Sequence, residues 1–215
     1  MTFSEFQNYI PKIKKLNYSG KDAHLEMAPN FRKKELEDIE IEKRKPKNAA
    51  VTALFYPNSK DETCIVLILR NTYKGVHSAQ IGFPGGREEN VDENLRETAL
   101  RETFEEVGVR PAQIKIIKKL TKIYIPPSNF WVYPFIGVCE KQPQFRRQES
   151  EVKQILEVKL DDILDDGKLE ETTLSTSYAE KVNVPAFILN EQIVWGATGM
   201  MLNEVKGVIK DSLAN

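Results

Sequence analysis

One-sided charge is missing from this chain. Its 31 Lys and Arg face 32 Asp and Glu, for a net charge of −1 over 215 residues. Without a basic surplus no nucleic-acid partner is expected, although Lys/Arg clusters occur at 32–34, 43–47 and 118–122. No apolar run is long enough for a signal peptide or a membrane span, and the terminal Leu-Ala-Asn is no peroxisomal address, so a cytoplasmic protein without a membrane partner is expected. Cysteine is scarce. Cys64 and Cys139 both fall in apolar runs and read as buried free thiols of a reducing compartment, not a disulfide. Repeats and low-complexity tracts are absent too, and the length suits one substantial core with some elaboration.

The pattern along the chain is mixed. Phe3, Phe6, Ile10, Ile13 and Leu16 predict an amphipathic helix interrupted at Pro11, with Thr2 and Glu5 as its capping box. The charged stretch from Arg32 to Lys47 reads as a surface helix ending near Pro46. Strands are expected at 49–56, 64–69, 114–124, 131–139 and 154–160, with a further pair at 182–189 and 192–195. A closing helix at 197–211 carries Met201, Leu202, Val205, Val208 and Ile209 as a core stripe. Residues 1–47 are expected as a helical extension packed on a domain spanning 48–215. Strands interleaved with helices predict an α+β protein, an α/β/α sandwich around a mixed sheet.

The chemistry concentrates between Gly85 and Val109. Glu102, Glu105 and Glu106 recur at helical spacing and share one face, with Leu100, Phe104 and Val107 expected on the opposite, apolar face. An acidic helix face is ordinarily solvated surface. Two local penalties speak for more. Glu102 and Glu106 repel as like charges one turn apart, and Glu105 and Glu106 precede Gly108, the expected C-cap, where the helix dipole disfavours anions. A divalent cation reverses both penalties. Arg101 neutralises locally through Glu97 and Glu105, whereas Glu102 has no cation one turn away and Glu106 has only Arg110. Glu102 and Glu106 are therefore the principal candidate ligands, joined by Glu105. Arg70 ends the apolar run from Ile65 and is delivered to a strand end, suited to phosphate or to a salt bridge.

Residues 85–109 resemble the Nudix box of hydrolases that cleave nucleoside diphosphates linked to another moiety. Arg101, Glu102, Glu105, Glu106, Val107, Gly108 and Val109 match its second half, and Thr103 departs from an aliphatic preference. The spacing after Gly86 is one residue longer than usual, so either Asp92 or Glu93 fills the first acidic position. The run before the box is similar to that of the subgroup that hydrolyses coenzyme A and its thioesters, through Arg70, Gln80, Phe83, Pro84, Gly85 and Gly86. Ala79, Asn71 and Gly75 depart from that pattern, and Lys74 stands where it can replace the usual second basic residue.

The resemblance implies a Nudix-type fold over about residues 48–200 and a magnesium-dependent pyrophosphohydrolase, manganese being a substitute. Glu102, Glu105 and Glu106 would hold metal, with catalytic duty shared among Glu105, Glu106 and Glu151, the last standing where several such enzymes place a distant Glu. Substrate would meet Arg70, Lys74, Gln80, Gly85, Gly86 and Phe130. Phe130 and Trp131, beside the Pro126–Asn129 loop, offer aromatic surface for a base or pantetheine, or alternate into the core. His77 is kept secondary. Coenzyme A would give 3′,5′-ADP and 4′-phosphopantetheine. The competing readings are another diphosphate substrate such as ADP-ribose, and a silent nucleotide-binding module. A homodimer is the default assembly.

Overall fold

The computed structural model describes residues 1–29, 41–72, 80–176 and 179–214, apart from the side chains of 175, 176, 179 and 180. Helix α1 (Phe3–Lys15) starts at the expected capping box, Thr2 accepting from the Glu5 amide while Glu5 accepts from that of Thr2. It does not break at Pro11. Phe3, Phe6 and Ile13 are buried on both sides of the proline, and this shared anchorage holds one continuous helix despite the roughly 3 kcal/mol that an internal proline costs. Helix α2 (Gly20–Met27) follows. Most of the expected helix at 32–47 lies outside the described residues, and within it Ile41–Arg44 form a 3₁₀ turn.

Strand β1 (Lys47–Pro57) is buried along nearly its whole length, as a central strand covered on both faces must be. Its odd residues from Ala49 to Phe55 enter one core with α1 and the C-terminal helix. The even residues Leu54 and Tyr56 enter another with the box helix. It pairs antiparallel with β2 (Thr63–Arg70) only from Phe55 to Pro57. Beyond that the two strands diverge, and the chain from 81 to 87 enters the fork. There β3 (Ile81–Gly82) pairs with β2 and β4 (Gly85–Arg87) pairs with β1. The Thr52 amide donates to the Pro84 carbonyl at 2.9 Å, fixing the wedge between them.

Helix α3 (Leu95–Val107) packs on one face of this sheet. The sheet continues through β5 (Lys115–Lys119), β6 (Ile123–Ile125), β7 (Phe130–Val138) and β8 (Val152–Lys159). Strand β7 runs parallel to β1 and the other pairings are antiparallel, giving a mixed sheet. The expected strand 114–124 is two strands. Around the break the Leu120 amide turns to the Pro134 carbonyl and the Thr121 amide is taken by the Glu204 carboxylate.

After α4 (Leu160–Leu164), strands β9 (Leu169–Thr176), β10 (Ala179–Leu189) and β11 (Gln192–Trp195) form a separate antiparallel sheet. Strand β9 was not expected: its sequence LEETTLST has little apolar content. Helix α5 (Gly196–Leu213) closes the chain on the face opposite α3, its predicted stripe buried. The result is the expected α/β/α sandwich. Among the described residues no helix is long and apolar enough to cross a membrane. Both cysteines are free and buried, and burial pushes their thiols up, Cys64 to about 11 and Cys139 to about 12.

Candidate active site

Helix α3 is bounded by its own sequence. Asn94 accepts from the amides of Arg96 and Glu97, and Gly108 ends the helix in the left-handed conformation at φ 79°. A side chain at 108 would also press on the Arg146 backbone, about 3.0 Å away. That neighbour has a purpose. The amides of Arg146 and Gln148 donate to the last-turn carbonyls of Val107 and Glu106 at 2.9 and 3.0 Å, tying the 145–148 segment to the helix end. Glu151, three residues on, is thereby held where its charge acts on both Glu102 and Glu106.

The buried face of α3 differs from the predicted one. It is centred on Thr103 and Ala99 with Leu100 and Val107, whereas Phe104 is 42% exposed. Thr103, the departure from an aliphatic residue, is satisfied in the interior. Its hydroxyl lies 2.6 Å from the Ala99 carbonyl oxygen and 3.0 Å from the Thr52 hydroxyl.

The three glutamates do not share one environment. Glu106 is 1% exposed beneath the wedge, accepting from the Gly85 amide at 2.8 Å and lying 3.4 Å from the Arg70 guanidinium. Burial pushes its carboxyl up to about 7, aided by Glu102 and Glu151 and opposed by Arg70 and the Gly85 amide. Glu102, 13% exposed at its side chain, meets Arg101 at 2.9 Å, so it does have a cation: its sequence neighbour rather than one a turn away. Burial still raises its pKa, against the pull of Arg101. Glu105 turns outward, half exposed, 3.2 Å from the same guanidinium.

Arg101 is also gripped by Asp92, at 2.8 Å from Nε and 2.9 Å from Nη2, so of the two candidates for the upstream acidic position it is Asp92 that pairs with it. Arg101 in addition donates to the Arg87 carbonyl, and Glu97, one of its two expected partners, is not among its ion pairs. One guanidinium thus gathers Asp92, Glu102 and Glu105.

Glycine at 86 is a steric demand. A Cβ there would lie 2.4 Å from the Glu102 carboxylate. At its neighbour, Arg70 donates to the Gly85 carbonyl at 2.9 Å while Glu106 accepts from the Gly85 amide, so one residue is held by both charges. Arg70, Gln80, Gly85, Gly86 and Phe130 line one cleft of about 260 Å³. Lys74, His77, Gly75 and Ala79 lie outside the described residues. Trp131 does not line the cleft: its indole donates to Glu42, and Lys122 sits 4.0 Å over its ring. Arg87, absent from the sequence-based candidates, does line it. A Gly-Gly-Arg run on a sheet edge was its only signal.

Among the described residues, no three acidic, histidine or cysteine side chains converge as a ready-made metal cage. Glu102, partly exposed, and Glu106, buried, are nonetheless hard oxygen donors whose charges act on each other and which burial destabilises as anions. That chemistry fits a divalent ion such as magnesium, which keeps waters and takes ligands from a substrate's phosphates.

A model of the NUDIX domain matches residues 46–176. Among related proteins, one named "Uncharacterized Nudix hydrolase NudL" from Pectobacterium atrosepticum is 28% identical over 151 residues, 68% of this chain and 76% of its own. Nudix hydrolase 3 of Caenorhabditis elegans is 28% identical over 155 residues, 65% of this chain and 64% of its own length. A crystal structure of a Nudix hydrolase from M. smegmatis, RenU, shares the fold with a TM-score of 0.52 at 12% identity, covering 79% of this chain and 86% of that one.

Proposed function

The chain belongs to the NUDIX domain family, whose model spans more than half of it, and from that premise we propose that it hydrolyses the pyrophosphate bond of coenzyme A or a derivative. The products are 3′,5′-ADP and 4′-phosphopantetheine or its acylated form. The observation that carries this reading is that Arg70, Gln80, Gly85 and Gly86 line one cleft, with the carboxylates of Glu106 and Glu102 set against the two glycines. Arg70, Gln80, Gly85 and Gly86 are among the residues on which the resemblance to the coenzyme A subgroup rests.

In hydrolysis the oxygen of water bonds to one phosphorus and the bridging P–O bond breaks toward the other phosphate. Arg70 holds a diphosphate oxygen at the cleft wall, its guanidinium already aimed by the Gly85 carbonyl. The glycines let the diphosphate come close to the acids. Glu102 and Glu106, joined by Glu105 from the exposed side, would hold magnesium, or manganese in its place, and the ion would neutralise the phosphates and make water easier to deprotonate. Glu105, Glu106 and Glu151 share the catalytic duty of accepting the water's proton. Arg101 positions Glu102 and Glu105.

A panel of coenzyme A, an acyl-coenzyme A, ADP-ribose and a dinucleoside polyphosphate, each with magnesium and read by chromatography of the products, tests the reading. Coenzyme A compounds are expected to lead in kcat/KM. A lead by ADP-ribose or the dinucleoside compound, or turnover of none, overturns it.

A further inference from the structure

The lining of the cleft divides by chemistry. Arg70, Gln80 and Arg87 bring charge and an amide to it. Pro29, Ile125, Phe130, Trp195, Ala197 and Met201 give it an apolar wall. Ser128 and Thr198 also border the cavity, and the Thr198 hydroxyl is committed to the Ile81 carbonyl at 2.9 Å. A sugar or another hydroxyl-rich group laid on the apolar wall would lose its water there and gain few partners.

Much of that apolar wall comes from outside the family match at 46–176: Pro29 from the segment after α2, and Trp195 to Met201 from the start of α5. The two terminal segments are locked together. His24 Nε2 lies 2.9 Å from the buried Glu204 carboxylate, and Asn203 donates to the Ala23 carbonyl and to Glu26, both at 3.0 Å. Met27, the last residue of α2, packs against Gly199, whose Cβ would lie 3.1 Å from the Met27 methyl. These contacts set Pro29 opposite the first turn of α5. The charged lining of the cleft thus lies within the family match, whereas the apolar chamber is completed by the segments before and after it.

The geometry points to this chamber as a specificity subsite for an apolar substrate arm, a saturated or acylated chain running from the diphosphate rather than a sugar. The inference rests on the diphosphate reading above, because that reading places the arm's attachment point at Arg70 and Gly85. Methionine and a half-buried tryptophan suit a chain of variable shape, being large, polarisable and adaptable.

The test separates the chamber from the reaction. The protein has two tryptophans, and Trp131 is outside the cleft, so Trp131→Phe leaves Trp195 as the sole reporter. In that variant, with EDTA present, S-hexanoyl-4′-phosphopantetheine is titrated while Trp195 emission is followed, with ribose 5-phosphate as the polar control. A saturable emission change with the acyl compound alone is expected. Ala197→Leu, which fills the chamber from a partly exposed position, should weaken that binding at least tenfold. It should also lower the ratio of kcat/KM for hexanoyl-coenzyme A over ADP-ribose by a similar factor. No saturable change, equal response to ribose 5-phosphate, or a response indifferent to Ala197→Leu overturns the chamber. A normal Trp195 response in a protein that hydrolyses no coenzyme A compound sinks the proposed reaction and leaves the chamber standing.

Discussion

Arg70 and Glu106 grip the same residue through its two peptide groups: the guanidinium donates to the Gly85 carbonyl, the carboxylate accepts from the Gly85 amide, and the two charges lie 3.4 Å apart. The wedge in the sheet fork is therefore held by the groups assigned to phosphate and cation. Glu106→Gln keeps an oxygen for the Gly85 amide and removes the charge. Magnesium-dependent turnover is expected to fall by roughly 10²–10⁴-fold with the far-ultraviolet circular dichroism unchanged. Near-normal turnover would remove Glu106 from the machinery.

Gly86→Ala tests the close approach to Glu102. The clash is with the end of a flexible side chain, which can swing away, so the loss in stability should stay at or below about 1–3 kcal/mol. The displaced carboxylate should matter more to function. The magnesium concentration needed for half-maximal rate is expected to rise at least tenfold. An unchanged magnesium dependence would mean that the Glu102 position is immaterial.

Asp92 and Arg101 give a pH prediction. The bidentate hydrogen bonds from Arg101 hold the Asp92 carboxyl at about 2, and its side chain is 3% exposed. A depressed carboxyl contributes stability in full above its unfolded value, near 3.8, and loses it as pH falls toward 2. The stability gap between wild type and Asp92→Asn should be about 2 kcal/mol at pH 7 and should narrow between pH 4 and 2. Urea unfolding at several pH values measures it, and a gap independent of pH contradicts the pairing.

Thr103 and Thr52 form the polar contact between α3 and β1. Thr103→Val alone should cost about 1 kcal/mol, since it removes one partner of a buried hydrogen bond, while Thr52→Val with Thr103→Val should be close to neutral. A double-mutant cycle by denaturant unfolding gives the coupling. Strict additivity would show that the two hydroxyls do not interact.

The parts of the fold visible in the sequence were those carried by local apolar pattern. β1, β2 and β7 are runs of buried residues, and the α5 stripe has helical spacing, so both could be read directly. The Glu102–Glu106 spacing and the Gly108 cap were readable in the same way. What escaped depends on partners far along the chain. The break between β5 and β6 depends on Glu204 taking the Thr121 amide from 83 residues away. Phe104 read as core because Thr103, an apolar-face residue here, looks polar until Thr52 is beside it. Glu102 has no cation one helical turn away, and its partner Arg101 is its sequence neighbour, reaching it sideways. Of the apolar wall of the cleft, Phe130 was legible beside its loop, whereas Pro29 and the stretch from Trp195 to Met201 left no local mark, since they meet only when the two terminal segments pack together.

Glu204 carries a last consequence. Its carboxylate is sealed between the Thr121 amide and His24, so α2 and α5 share one polar joint. Trimming the protein to residues 46–176 would delete both His24 and Glu204, and trimming the front alone would take one of two hydrogen-bond partners from a buried carboxylate, at a penalty of roughly 1–3 kcal/mol. The two flanks stand or fall as a pair.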